Sequence, residues 1–258
     1  MAAVAAYMGF LIVAPLAALG AGALSEGWAA VARALVAPDV LASFRLTGLI
    51  AVITVGFHLV CGTLVAWVLV RQSFRGRGLL SALVDLPFAV SPVVVGYMFL
   101  LIFGRRGLLG PLLDAVGIKV AFALPGMVLA TLFVTLPLMI REIMGALSAL
   151  DTEQEQAAAT LGASGWATFW RVVVPALRWG FVYGMILTFA RALGEFGAVL
   201  VIGGAVQGRT ETATLYIYRA LEERQYTGAY GAAAVLGLVS LALVLGVDAL
   251  RRRGRAVA

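Results

Sequence analysis

Residues 124–143, LPGMVLATLFVTLPLMIREI, run within seven residues into 151–175, DTEQEQAAATLGASGWATFWRVVVP. The first stretch carries no charge before Arg141. As a helix rising about 1.5 Å per residue it is long enough to cross a hydrocarbon core about 30 Å thick. The second stretch changes character and reads as a structured connector. Asp151 and Thr152 followed by Glu155 predict a capping box, the Thr152 hydroxyl capping the Glu155 amide and the Glu155 carboxylate reaching back. Ala157, Ala158 and Ala159 are strong helix formers. Gly162 is expected to end that helix in a left-handed cap, and Ser164 to start a second one. Trp166, Phe169, Trp170 and Val173 recur at helical spacing and predict one aromatic face. Pro175 is expected to stop this helix before the next apolar run. A membrane-crossing helix followed by a helix–glycine–helix at the membrane surface is the expectation for residues 124–175.

Working outward, similar apolar runs recur at Val4–Leu24, Leu46–Val70, Leu83–Phe103, Gly180–Ile202 and Gly231–Leu250, which with Leu124–Ile143 predict about six spans. The composition agrees: 62% of the 258 residues are hydrophobic and 12% charged, against about 45–50% and 25% in soluble domains. Disorder is excluded, because it requires low hydrophobicity and high charge. The expected architecture is an all-α polytopic membrane protein, a single transmembrane domain over residues 1–258, with 151–175 as a cytoplasmic connector within it. The uncharged first run is longer than a signal-peptide core and lacks a basic leader, so it is expected to be retained as a span. Six spans place the connectors 71–82 and 141–178 and the tail after Leu250 on one side, with ten arginines against eight basic residues on the other. Arg71, Arg75 and Arg77, and Arg251–Arg253 with Arg255, cluster directly beside apolar runs, which makes that face cytoplasmic and puts both termini inside.

The residues for catalysis are missing. The sole lysine, Lys119, sits between Ile118 and Val120, so no phosphate-cradling Gly-Lys-Ser/Thr loop exists. One histidine and one cysteine, His58 and Cys61, exclude a two-histidine zinc site and an intramolecular disulfide. His58 is expected to be a packed or hydrogen-bonded interhelical residue. The net charge of +6 is scattered between apolar runs and not gathered into the basic face of a nucleic-acid binder. The chain is expected not to be an enzyme, to hold no metal or cofactor, and to depend on another subunit for any nucleotide hydrolysis.

Gln156-Ala157-Ala158, three residues, Gly162, nine residues, then Val172-Val173-Val174-Pro175 resembles the coupling signature of ABC importer permeases, Glu-Ala-Ala-x3-Gly-x9-Ile-x-Leu-Pro. Gln156 replaces the glutamate, with Glu153 and Glu155 beside it. The stretches Asp85–Gly96, Leu161–Trp166 and Arg191–Gly197 extend the likeness and resemble sulfate/thiosulfate importer permeases of the W type. The last of these is shared with molybdate/tungstate permeases. The resemblance implies a type I importer permease fold and an ATPase-coupling role for Gln156, Ala157, Ala158, Gly162 and Pro175. It also implies partners: a dimer of ATP- and Mg-binding cassettes, a second permease of the related T/U type, and an extracytoplasmic sulfate-binding protein. The setting would be the lipid of a bacterial cytoplasmic membrane.

Intramembrane charges and broken backbone then nominate a pathway or gate: Asp85, Ser91, Arg191 and Glu195. Arg191 and Glu195, four apart, are expected on one helix face with Thr188. They serve either as a structural network or as a contact for the anion. Asp85 lies about 9 Å into its helix from Leu79, level with Arg141, so an Asp85–Arg141 pair is expected. Ser91–Pro92 breaks the backbone ladder mid-span, and Gly180-x-x-x-Gly184 permits close helix packing. A stand-alone secondary transporter or channel is the reading from another class. No internal repeat supports it, and such a protein has no use for a coupling signature. A membrane-bound enzyme comes third.

Overall fold

The computed structural model describes the backbone of residues 2–257 and the side chains of residue 4 and residues 6–249. The side chains of Arg251–Arg253 and Arg255 lie outside that description. All regular structure among the described residues is helical. Helix α1 (Ala2–Leu24) leaves apolar side chains such as Tyr7 and Phe10 65% and 74% exposed, an arrangement stable in lipid and costly in water. A short helix α2 (Trp28–Leu35) leads to α3 (Pro38–Phe57), opened by Pro38 in its first turn. Through one π-helical turn at His58–Gly62, α3 continues into α4 (Thr63–Arg71), giving a 34-residue span, Pro38–Arg71. Ser43 and Thr47 on α3 donate their hydroxyls back to Val40 and Ser43 carbonyls, each at 2.8 Å. Their polarity is therefore satisfied within the helix.

The expected span Leu83–Phe103 is not one rod. It forms α5 (Arg77–Ala89) and α6 (Pro92–Phe103), bent by 112° at Val90–Ser91. Pro92 cannot donate a backbone hydrogen bond, and its ring forces Ser91 into extended geometry (φ −60°, ψ 135°). A short α7 (Gly110–Ala115) then precedes α8 (Leu124–Ala149). Met127, Thr131, Thr135, Met139, Ile143 and Leu147 recur every four residues and are all buried, so α8 forms the centre of the bundle. One cluster, Ala66, Leu69, Val84, Met139, Ile140, Ile143, Leu147, Val173 and Leu177, fills the end of the bundle near the 151–175 connector. Val95, Ala130, Val134, Ala198 and Ile202 fill the other end.

The connector folds as α9 (Thr152–Thr160), α10 (Gly165–Thr168), a π-helical turn at Phe169–Val173 and α11 (Val174–Ala176). Pro175 sits in the first turn of α11, and the chain turns by 65° two residues later, at Leu177. The expected span Gly180–Ile202 is also interrupted. Helix α12 (Arg178–Leu193) ends before Gly194, and α13 (Gly197–Gly203) restarts beyond Phe196. Helices α14 (Ala213–Glu222) and α15 (Tyr226–Val257) complete the chain. Among the described residues four helices are long and apolar enough to cross a membrane, and up to six spans result if each bent pair counts once.

Glycine sets how closely α12 approaches α8. A Cβ placed on Gly180 would stand 2.7 Å from Ala146 Cβ, and one on Gly184 would stand 2.5 Å from Met139 Sδ. The Gly180-x-x-x-Gly184 pair thus makes the close contact its spacing predicts. His58 is the interhelical residue expected: its Nε2 lies 3.1 Å from the Leu132 carbonyl and 3.0 Å from Thr135 Oγ1 on α8.

Candidate functional site

The connector buries none of the nine residues of α9. Its end is built as the sequence predicts. Gly162 takes φ 84°, its amide donates to Ala159 O, and Ala163 N donates to Ala158 O, both at 3.0 Å. These two bonds make a Schellman cap, which a left-handed glycine allows without strain. Ser164 caps α10 by accepting from Ala167 N at 3.3 Å. Gln156, Ala157 and Gly162 face outward, with Leu161 89% exposed beside them.

One expectation fails in this connector. No capping box forms at Thr152, because Asp151 occupies the cap position without a side-chain bond and Thr152 is already helical. Glu155 turns instead to Arg71 at the end of α4, accepting from Arg71 Nη2 at 2.6 Å. The same nitrogen donates to the Leu150 carbonyl at 3.0 Å. A charged long-range donor outcompetes the local backbone amide. The aromatic face forms as expected: Trp166, Phe169 and Trp170 pack ring against ring, with centroids 6.2 Å (Trp166–Phe169), 5.6 Å (Trp166–Trp170) and 5.5 Å (Phe169–Trp170) apart. Phe169 packs edge-on against Trp67 and Val173 is buried, while Trp166 and Trp170 stay 71% and 51% exposed.

Within the bundle, Asp85 and Arg141 pair as expected. Arg141 Nε donates to Asp85 Oδ1 at 2.9 Å, and Nη2 donates to Asp85 Oδ2 and, at 3.0 Å, to Ser81 Oγ. With Nε and Nη2 both spent on α5, this guanidinium acts as a brace between α5 and α8.

Arg191 and Glu195 also meet, but not along one helix. Glu195 lies beyond the end of α12, and its Oε1 accepts from Ala198 N at 3.0 Å, capping α13. Its Oε2 is 2.9 Å from Arg191 Nη1 and makes no aligned hydrogen bond. Glu195 is buried and Arg191 is 38% exposed at the side chain. The Arg191 guanidinium is thus paired on one side and partly open on the other.

The two helix breaks adjoin each other, a proximity that sequence reading missed. A Cβ on Gly197 would stand 3.0 Å from Val93 Cγ2 and 3.3 Å from Pro92 Cβ, and one on Gly96 would stand 2.8 Å from the Ala198 carbonyl. Ser91, exposed at the α5–α6 break, is thus brought beside the α12–α13 break that carries Glu195. The signal available was a helix-breaking residue in each of two apolar runs, Pro92 and Gly194.

A different charged group sits on α14. Arg219 bonds Glu211 at 2.6 Å, Glu223 at 2.9 Å and Asp39 at 3.3 Å. The Glu211 hydrogen bond leads in holding it charged above the ordinary arginine range. This network ties α14 to the start of α3.

Residues 58–253 match the family described as binding-protein-dependent transport system inner membrane component. The chain is 45% identical over 250 residues to the sulfate transport system permease protein CysW of Synechococcus elongatus, covering 96% of this chain and 87% of that one. It is 43% identical over 232 residues to the protein of the same name from Escherichia coli K12, covering 90% and 80%. Its fold matches a chain of a bacterial alginate ABC transporter solved in complex with an alginate pentasaccharide-bound periplasmic protein. That match has a TM-score of 0.77 at 18% identity and covers 96% and 91% of the two chains. At that identity the likeness is one of fold.

Proposed function

The chain belongs to the binding-protein-dependent transport system inner membrane components, and we propose that it is the membrane-spanning permease of an ATP-driven importer that carries sulfate into the cell. The observation that carries the reading is the exposed, glycine-capped helix α9, standing at the end of a bundle whose closely related chains are sulfate permeases. Leu161, Trp166 and Trp170, exposed beside α9, form an apolar surface suited to a partner. Gln156, Ala157, Ala158 and Gly162 form the contact face of α9 for a dimer of ATP-hydrolysing cassettes, and Pro175 sets the chain's return to the bundle. ATP and Mg are held by that dimer, and this chain supplies no catalytic group.

The basic flanks at Arg71, Arg75 and Arg77 favour a cytoplasmic placement for α9 and for both termini. A second permease, of the related T/U type, completes the pathway, and an extracytoplasmic binding protein delivers the anion. The junction of the two helix breaks is the gate, with Ser91 on one side and Arg191 and Glu195 on the other. Arg191, partly exposed, offers a guanidinium suited to a tetrahedral dianion, and Glu195 holds its charge in place. Asp85 braces the gate helix through Arg141.

The testing experiment is ATP-driven uptake by the complex reconstituted with cassettes, second permease and binding protein, with sulfate, thiosulfate, molybdate and tungstate in competition. Labelled sulfate should be taken up and displaced by unlabelled sulfate. Uptake of molybdate or tungstate with sulfate ineffective would replace this reading by the molybdate/tungstate one. Uptake by this chain alone, without cassettes, would make it a secondary transporter or channel.

A further inference from the structure

In the coupling signature the first position is a glutamate, and here it is Gln156, exposed. The neighbouring carboxylate, Glu155, points the opposite way, into the bundle, with 19% of its side chain exposed. Its partner Arg71 is the last residue of α4, 15% exposed. One nitrogen of that guanidinium reaches Glu155 Oε1 at 2.6 Å and the Leu150 carbonyl at 3.0 Å. Leu150 caps the end of α8 in extended backbone and has lost the helical partner for its carbonyl. A single side chain therefore joins the ends of two membrane helices to the first turn of a third helix.

Helices α4 and α8 do not need Arg71 to stay together, because Ala66 and Leu69 already pack on Ile143 and Leu147. Helix α9 differs: it buries no residue, and it is joined to α8 through the two extended residues Leu150 and Asp151. Such a junction is a hinge unless something spans it.

We propose that Arg71 is a positioning residue which, through Glu155 and the Leu150 carbonyl, locks the coupling helix to the ends of α4 and α8, so that a displacement of α9 moves the bundle instead of bending the 150–151 hinge. The proposal rests on the reading of α9 as the cassette-docking helix. It also accounts for the glutamine at 156: the carboxylate sits one position earlier and is committed to this internal link. A guanidinium suits the role because its planar fork stays charged and holds two acceptors in fixed directions.

The test uses the full complex of both permeases, the cassettes and the binding protein. It reads three quantities: cassettes retained on purification, ATP hydrolysed, and sulfate taken up per ATP. Arg71→Met and Glu155→Gln should retain the cassettes and hydrolyse ATP, while sulfate per ATP falls by about tenfold, the factor that goes with a hydrogen bond to a charged group. The double variant should be no worse than either single one, since both remove the same link. Arg71→Lys, which keeps the charge but not the fork, should fall between. Wild-type sulfate per ATP in Arg71→Met and Glu155→Gln would overturn the proposal. Loss of the cassettes from the purified variants would overturn it too, by making the pair part of the fold or of the docking surface. A complex in which Gly162→Val leaves uptake and hydrolysis untouched would overturn the docking reading of α9 itself, whatever Arg71 does.

Discussion

Substituting Gly162 separates backbone conformation from every other property of the connector. Gly162 has φ 84°, and a Cβ placed there would meet no atom within 4 Å. A side chain is therefore opposed by backbone sterics alone. For an L-residue the left-handed region costs about 1–2 kcal/mol, which lowers the population of the capped turn by a factor of about 5–30. Asparagine, whose short amide tolerates that region, should cost less than alanine, and β-branched valine more. The penalty falls on the two cap bonds, Gly162 N to Ala159 O and Ala163 N to Ala158 O, and so on the relative direction of α9 and α10. The bundle core is untouched. Membrane abundance and the thermal midpoint should stay at wild-type values, while sulfate uptake per ATP in the reconstituted complex falls in the order Gly, Asn, Ala, Val. Uptake by Gly162→Val equal to wild type would refute the reasoning. A uniform loss in all three variants with falling abundance would refute it equally, because that pattern reports misfolding.

Gly180→Ala drives a Cβ to 2.7 Å from Ala146 Cβ, a methyl with no rotamer to yield, so the variant should lose about 1–3 kcal/mol and lower the thermal midpoint in detergent; Ala146→Gly in the same chain should restore it. Arg191→Met strands the buried Glu195 carboxylate and should cost about 3–5 kcal/mol of folded yield. Adding Glu195→Gln, which keeps an oxygen for Ala198 N, should recover abundance. If Arg191 also contacts the anion, that double variant remains inactive at normal abundance, and wild-type uptake by both single variants would remove the pair from the gate.

The helical class, the approximate spans and the α9 cap were legible because each is a local property. Apolar length, four-residue recurrence and a glycine after an alanine run need no information about distant residues. The broken spans were not legible in full, because hydropathy reads composition and is blind to backbone direction. Leu83–Phe103 and Gly180–Ile202 are apolar on average across their breaks, despite Asp85, Arg191 and Glu195, so a sliding reading joins them. Pro92 announced its break, but a 112° turn exceeds what a proline alone imposes and depends on packing against α13. At the second break Glu195 looked like a partner one turn along a helix, whereas its carboxylate caps the next helix. The capping box failed for a similar reason: Glu155 has a partner 84 residues away in sequence, which no local motif contains. In the sequence Arg71 shows only a charge and a side of the membrane, and its role becomes visible only once α4 and α9 are placed together.

The two candidate sites lie at opposite ends of one helix. Toward Leu150, α8 carries Ile143 and Leu147 in the core beneath the connector, and the carbonyl of its capping residue is bound by Arg71. Toward Leu124 it carries Ala130 and Val134, packed on Val95 of α6 and on Ala198 and Ile202 of α13, the two helices that start at the breaks. Its 26 residues run uninterrupted through Pro137, about 39 Å at the helical rise. A close-packed helix transmits displacement without absorbing it, whereas the breaks at Ser91 and Glu195 are where backbone direction can change. Unpaired backbone at membrane depth is tolerated only where protein or a water-lined path covers it. On the proposed reading the rigid and the yielding parts then divide the work. A push on α9 crosses the Arg71 link, travels along α8, and is spent at the junction of two broken helices, where the half-exposed Arg191 waits for an anion.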